Sequence, residues 1–135
     1  SYALFRAHDE HSVETVNAQE VLARVLVARK QLPAAESLLR DALERRRALH
    51  GADDVNTPWR LSELGAVLDA DGRSKEALPL YAEAVALAER KIGADTLHHA
   101  VLLQNQARSQ LLAGAFREAD GNFQRALPPL VRAWG

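Results

Sequence analysis

Three glycines, Gly51, Gly93 and Gly135, stand 42 residues apart, and each closes a stretch that reads like a helix end: "RRALHG", "ERKIG" and "VRAWG". A chain that returns to the same punctuation at a fixed period builds one supersecondary unit several times over. Superimposed on itself at that shift, the sequence aligns Ala35 with Ala77 and Ala119, and Ala42 with Ala84 and Ala126. A third column is small throughout (Ala23, Gly65, Ala107) and a fourth is bulky (Leu39, Tyr81, Phe123). Small residues at fixed places on helices let backbones approach, and bulky ones fill the adjacent hole. The pattern predicts stacked helical hairpins.

Helical periodicity agrees. Leu61, Leu64 and Leu68 share one face, as do Leu80, Ala84, Leu87 and Ala88 after the following turn. Between these stripes Gly72 supplies a left-handed stop and Ser74 an N-cap, and Gly114 repeats the stop in the third copy. Pro33 falls in the first turn of its helix, where a missing N–H costs little. Helices are expected over 12–29, 33–49, 56–70, 74–91, 96–112 and 116–134. Pro128 and Pro129 should stop or kink the last one near Leu127. Gln106 and Gln110 occupy columns held by leucine in the earlier copies, so they must either hydrogen-bond or lie on an exposed face.

The helical hairpin with these columns, together with "GRSKEALPLYAEAV" and "GAFREADGNFQRAL", resembles the tetratricopeptide repeat family. The 42-residue period, with "HSVETVNAQEVLA" and "LLQNQA" ahead of the turns, is similar to its kinesin light chain subtype. The resemblance implies an all-α chain, a right-handed superhelix (α-solenoid) of three helix-turn-helix repeats in a single domain over 1–135. The repeats run over about 9–50, 51–92 and 93–135. Residues 1–8 align with the tail of a second helix, and the chain contains no methionine. The chain is therefore expected to be a piece of a longer protein whose array continues upstream.

The family's implied function is protein binding, with a partner peptide or helix held in a concave groove lined by the first helices. Carried over by register, the groove positions are Asn17, Glu20, Val21, Arg24 and Val27; Trp59, Ser62, Glu63, Ala66 and Asp69; and Val101, Gln104, Asn105, Arg108 and Leu111. Of the subtype's paired asparagines only Asn105 matches. Arginine can fork onto carboxylates and the amides can bond a peptide backbone, so the expected partner combines an acidic group with an apolar anchor. Trp59, just after Pro58, reads either as an anchor in the groove or as core against the preceding helix.

Other function classes find little support. A net charge of −1 leaves no cationic surplus for a phosphate backbone, so nucleic acid is not an expected partner. No apolar run is long enough to span a membrane. The absence of cysteine excludes thiolate metal sites and nucleophiles without indicating a compartment. A cytoplasmic location is the expectation, and the 14 arginines against three lysines fit a GC-rich bacterial genome. "HDEHSVE" gathers His8, Asp9, Glu10, His11 and Glu14, but its aligned copies are link regions without a second His pair, so no metal or other cofactor is expected. His98 and His99 read as an exposed pair, and Arg45, Arg46 and Arg47 as a solvated face near a helix C-terminus. No phosphate loop, serine elbow or zinc helix motif is present, and no enzyme activity is expected. Leu4 and Phe5 at one end, and Leu130, Val131 and Trp134 at the other, are expected to leave apolar surface open to self-association.

Overall fold

The computed structural model describes residues 13–52 and 54–134. These residues form helices and connecting turns, with no strand among them. The helices are α1 (Val13–Ala28), α2 (Leu32–His50), α3 (Thr57–Ala70), α4 (Ser74–Lys91), α5 (Leu97–Leu112) and α6 (Phe116–Trp134). The fold is all-α and repetitive, as the 42-residue columns require. It divides between Asp54 and Val55 into two compact units. The first contains the α1–α2 hairpin, and the second contains α3–α4 and α5–α6.

The three hairpin turns are built by the same hydrogen bonds. The amides of Gln31, Arg73 and Ala115 each donate to a carbonyl five residues back, on Leu26, Leu68 and Gln110, at 2.8 Å in every copy. This is the long bond of a Schellman turn, which needs a left-handed residue just before the donor. Gly72 (φ +75°) and Gly114 (φ +82°) fill that position in the second unit, and Lys30 (φ +59°) takes it in the first. The turn bond also displaces the expected cap on α4. With its amide drawn back to Leu68, Arg73 becomes the N-cap, and its carbonyl accepts from Glu76 and Ala77. Ser74 is instead the first helical residue and is buried.

In the first unit Val16 and Ala23 of α1 face Ala35, Leu39, Ala42 and Leu43 of α2 as a buried core. In the second, all three small columns are buried, and Tyr81 crosses the backbone at Gly65. A Cβ built on Gly65 would lie 2.8 Å from the Tyr81 ring. Leu68 and Ala77 complete this cluster, with Leu80 at its edge.

Two expectations about the last hairpin resolve differently. The helix does not stop near Leu127 but continues through Pro128 and Pro129 to Trp134. Each proline removes one intrahelical donor; burial of Ala126 and Pro129 against the hairpin holds the segment helical across the gap. Gln106 and Gln110 take the hydrogen-bonded alternative, for the Asn122 amide donates to both side-chain carbonyls at 3.0 Å. Of the three apolar residues expected to be open at this end, Val131 and Trp134 are exposed and Leu130 is half-buried. The readings placed on Leu4, Phe5, His8, Asp9, Glu10 and His11 lie outside the described residues.

Candidate functional site

The first helices of the hairpins, α1, α3 and α5, carry the positions that register assigns to a groove, and each unit engages them in its own way. In the first unit Glu20 is buried and both its oxygens accept from Arg46 of α2, from Nε at 2.9 Å and from Nη2 at 2.6 Å. The same guanidinium donates to Asn17 Oδ1 at 2.7 Å. The arginine run in α2 is thus not simply a solvated face, because the Arg46 side chain is only 12% exposed. Burial of Glu20 requires that partner, since a lone carboxylate in this core would be prohibitively desolvated. Val21 and Arg24 are exposed on the same helix, and Val27 is half-buried.

In the second unit α3 and α5 pack side by side and are stitched by polar side chains. Asn105 Nδ2 donates to the buried Ser62 Oγ at 3.2 Å, and Ser109 Oγ donates to Asp69 Oδ1 at 2.8 Å. The other Asp69 oxygen accepts from the Tyr81 hydroxyl at 3.2 Å. Burial, and then the neighbouring Asp69 charge, raise the Tyr81 phenol far above its ordinary pKa, with Arg108 opposing the shift from the same side. Tyr81 therefore stays a neutral donor. Asp69 is a strut tying three helices.

The remaining residues of this face are more open. Arg108, Ala66 and Leu111 are exposed, while Trp59, Glu63, Val101 and Gln104 are half-buried. Glu63 lies 3.7 Å from Arg60. The Trp59 ring meets His98 edge-on, with centroids 5.7 Å apart and planes at 62°. Neither reading of Trp59 is complete, since it is packed on one side and open on the other.

Two features of the second unit escaped the sequence reading. His99 is not exposed like His98 but 3% exposed, its Nε2 lying 2.9 Å from Glu89 Oε1. Thr96 caps α5 and turns His99 inward, accepting from the His99 amide and donating to the Gly93 carbonyl. Arg125 of α6 also donates to Glu89 Oε1, at 3.1 Å. The bond to His99, aided by Arg125 and opposed by slight burial, holds the Glu89 carboxyl below its ordinary range. The second feature is Ser109, which no groove register singles out. Neither could be found from its own repeat, because its partner lies in another helix at no repeating separation.

Among the described residues no group of three or more His, Asp or Glu is placed to hold a metal ion. No helix among them is long and apolar enough to cross a membrane.

Comparison with known proteins follows these observations. A family model described as tetratricopeptide repeat matches residues 14–90 and 61–128. No curated protein matches the chain. Among solved structures, the kinesin light chain nearly identical TPR-like repeats of Podosopora anserina superpose with a TM-score of 0.81 at 18% identity, covering 93% of this chain and 59% of that one. BtubC (BKLC) from P. vanneervenii superposes with a TM-score of 0.84 at 20% identity, covering 93% of this chain and 50% of that one. The chain therefore spans less than two thirds of either structure.

Proposed function

The chain belongs to the tetratricopeptide repeat family, and from that membership we infer that it is a protein-binding segment of a larger scaffold or regulatory protein rather than an enzyme. Repeats of this family are in general protein-interaction modules. Each unit presents a first-helix face, with Asn17, Glu20 and Arg24 as its residues in the first unit and Trp59, Ser62, Glu63, Asp69, Gln104, Asn105 and Arg108 in the second, each in two tiers. Arg24, Trp59, Gln104 and Arg108 meet the partner, whereas Glu20, Ser62 and Asp69 hold the helices that present them. The observation that carries this reading is the α3–α5 ladder. It satisfies Ser62, Asp69 and Ser109 internally, so an indole and a guanidinium are displayed on a rigid polar base. Tryptophan and arginine are the residue types enriched in interface hot spots. The partner is a peptide or helix with an acidic group and an apolar anchor, met in the cytoplasm.

Selection of a displayed peptide library on the purified chain tests this. Selected peptides should carry Asp or Glu near an apolar residue. Arg108→Glu and Trp59→Ala should each weaken them by about tenfold or more, with helicity unchanged. Lys91→Glu, on a second helix, should leave binding intact. Equal losses from Lys91→Glu and Arg108→Glu would remove the groove face from consideration.

A second reading has its own observation. Val21, Leu22 and Val25 on α1 are 46–56% exposed, and Leu127, Val131 and Trp134 on α6 are 54–82% exposed, so copies of the chain can associate through these helices.

A further inference from the structure

A cleft of about 470 Å³ opens at the turn end of the second unit. One wall is the start of α4, with Ser74 and Lys75, and the other is the end of α5, with Leu112 and Ala113. Both walls belong to hairpins of this unit, so the cleft is a feature of its internal junction. Ser74 decides the cleft's character. The cap role in which a serine here would bond a backbone amide has passed to Arg73, and the hydroxyl is left with no hydrogen-bond partner among the described residues, although Ser74 is only 8% exposed. A buried hydroxyl without a partner is costly. The column does not demand one, because it holds Leu32 and Phe116 in the other copies. In the second repeat alone, an unused donor lines the cleft.

Further donors converge on it. The helical ladder of α4 begins with the Glu76 and Ala77 amides, which donate to the Arg73 carbonyl, so the Ser74 and Lys75 amides stand outside it at the N-terminal end. The Lys75 ammonium has no carboxylate partner among the described residues, and its counterpart in the first copy is Pro33, which has neither cation nor amide hydrogen. The two carboxylates of the lining are already engaged. Glu76 takes the fork of Arg73 at 2.6 and 2.8 Å, and Asp69 takes the hydroxyls of Ser109 and Tyr81. With Arg73 and Lys75 set against Asp69 and Glu76, the lining is balanced in charge, which admits a single negative charge and disfavours a dianion. Leu112, 63% exposed, and Ala113 form an apolar wall opposite these donors. We propose that the cleft binds a monocarboxylate carrying a short apolar group. The carboxylate accepts from the Ser74 hydroxyl, the Ser74 and Lys75 amides and the Lys75 ammonium, and the apolar group lies on Leu112. A free short-chain acid offers this chemistry, and so does the carboxyl terminus of a peptide that ends in an apolar residue. The site is independent of the groove reading.

Titration of the isotope-labelled chain with isovalerate, followed by amide chemical shifts at neutral pH and constant ionic strength, provides the test. The Ser74 and Lys75 amides should move and saturate, with a Kd on the order of millimolar. N-acetyl-glycyl-valine should move the same amides, and the tighter of the two compounds identifies the source of the carboxylate. Ser74→Ala should weaken isovalerate about tenfold with the melting temperature unchanged or raised, because the hydroxyl has no partner to lose. Lys75→Glu should abolish the shifts, and Lys91→Glu, at the far end of the same helix, should leave them. Amides that respond to neither compound overturn the proposal, as does an undiminished response in Ser74→Ala. Inorganic phosphate binding more tightly than isovalerate overturns the assignment to a monocarboxylate. A lower melting temperature for Ser74→Ala would show that the hydroxyl is satisfied within the fold, and would remove it from the site.

Discussion

At the residue scale the tightest constraint is Gly65. Its counterparts in the small column are alanines, Ala23 and Ala107, and alanine is the better helix former. Glycine is required here because the bulky column holds tyrosine in this repeat, and its ring lies where a methyl would go. The ring cannot swing aside without losing the bond to Asp69. Gly65→Ala should therefore destabilise the protein by roughly 1–3 kcal/mol despite its helix propensity. Tyr81→Leu in the same chain should recover much of that loss, because it recreates the Ala23 and Leu39 pairing of the first repeat. Urea midpoints of the two single variants and the double variant check this, and additive losses would reject the steric account. The columns themselves were legible in the sequence because packing of this kind depends only on size. The ladder beneath them was not, because Asp69 to Ser109 is a separation of 40 residues and Ser62 to Asn105 one of 43, so neither falls on the 42-residue period.

At the scale of the element, every helix begins and ends within one residue of its expected limits, since stripes and stop residues mark helix ends directly. The exceptions come from interactions that periodicity does not encode. Ser74 lost the capping role to Arg73 through a turn bond, and α6 crosses two prolines because packing outweighs two missing donors. The first hairpin carries the same turn with Lys30 in the left-handed position, where a side chain costs roughly 1 kcal/mol. Lys30→Gly should raise stability by about 0.5 kcal/mol after the added unfolded-state entropy is counted, read as a higher urea midpoint. In the same hairpin α1 and α2 are joined by Glu20 and Arg46. Arg46→Met should cost about 3 kcal/mol by stranding the buried carboxylate, and adding Glu20→Gln should return part of it. A loss of only a few tenths would mean that the pair is dispensable.

On the scale of the whole molecule, charge links elements that the core alone would leave adjacent but untied. Glu89, His99 and Arg125 bring together the end of α4, the start of α5 and the middle of α6. Because the Glu89 carboxyl titrates lower when folded than when unfolded, its contribution is fully present above the ordinary carboxylate pKa and is lost as pH falls through the folded value. Thermal melts below about pH 4.5 should therefore fall less steeply for Glu89→Gln than for the wild-type chain, and identical acid limbs would remove this link from the account. The turns act at the same scale but with the opposite logic, because each draws its bond only from its own repeat. The three donors Gln31, Arg73 and Ala115 share one period, as do their acceptors. An unequal crossover between any point in one copy and the matching point in the next therefore leaves every turn with both donor and acceptor. An ancestral gene of this kind can lengthen or shorten by recombination, gaining or losing a whole repeat in one step while each product retains intact turns.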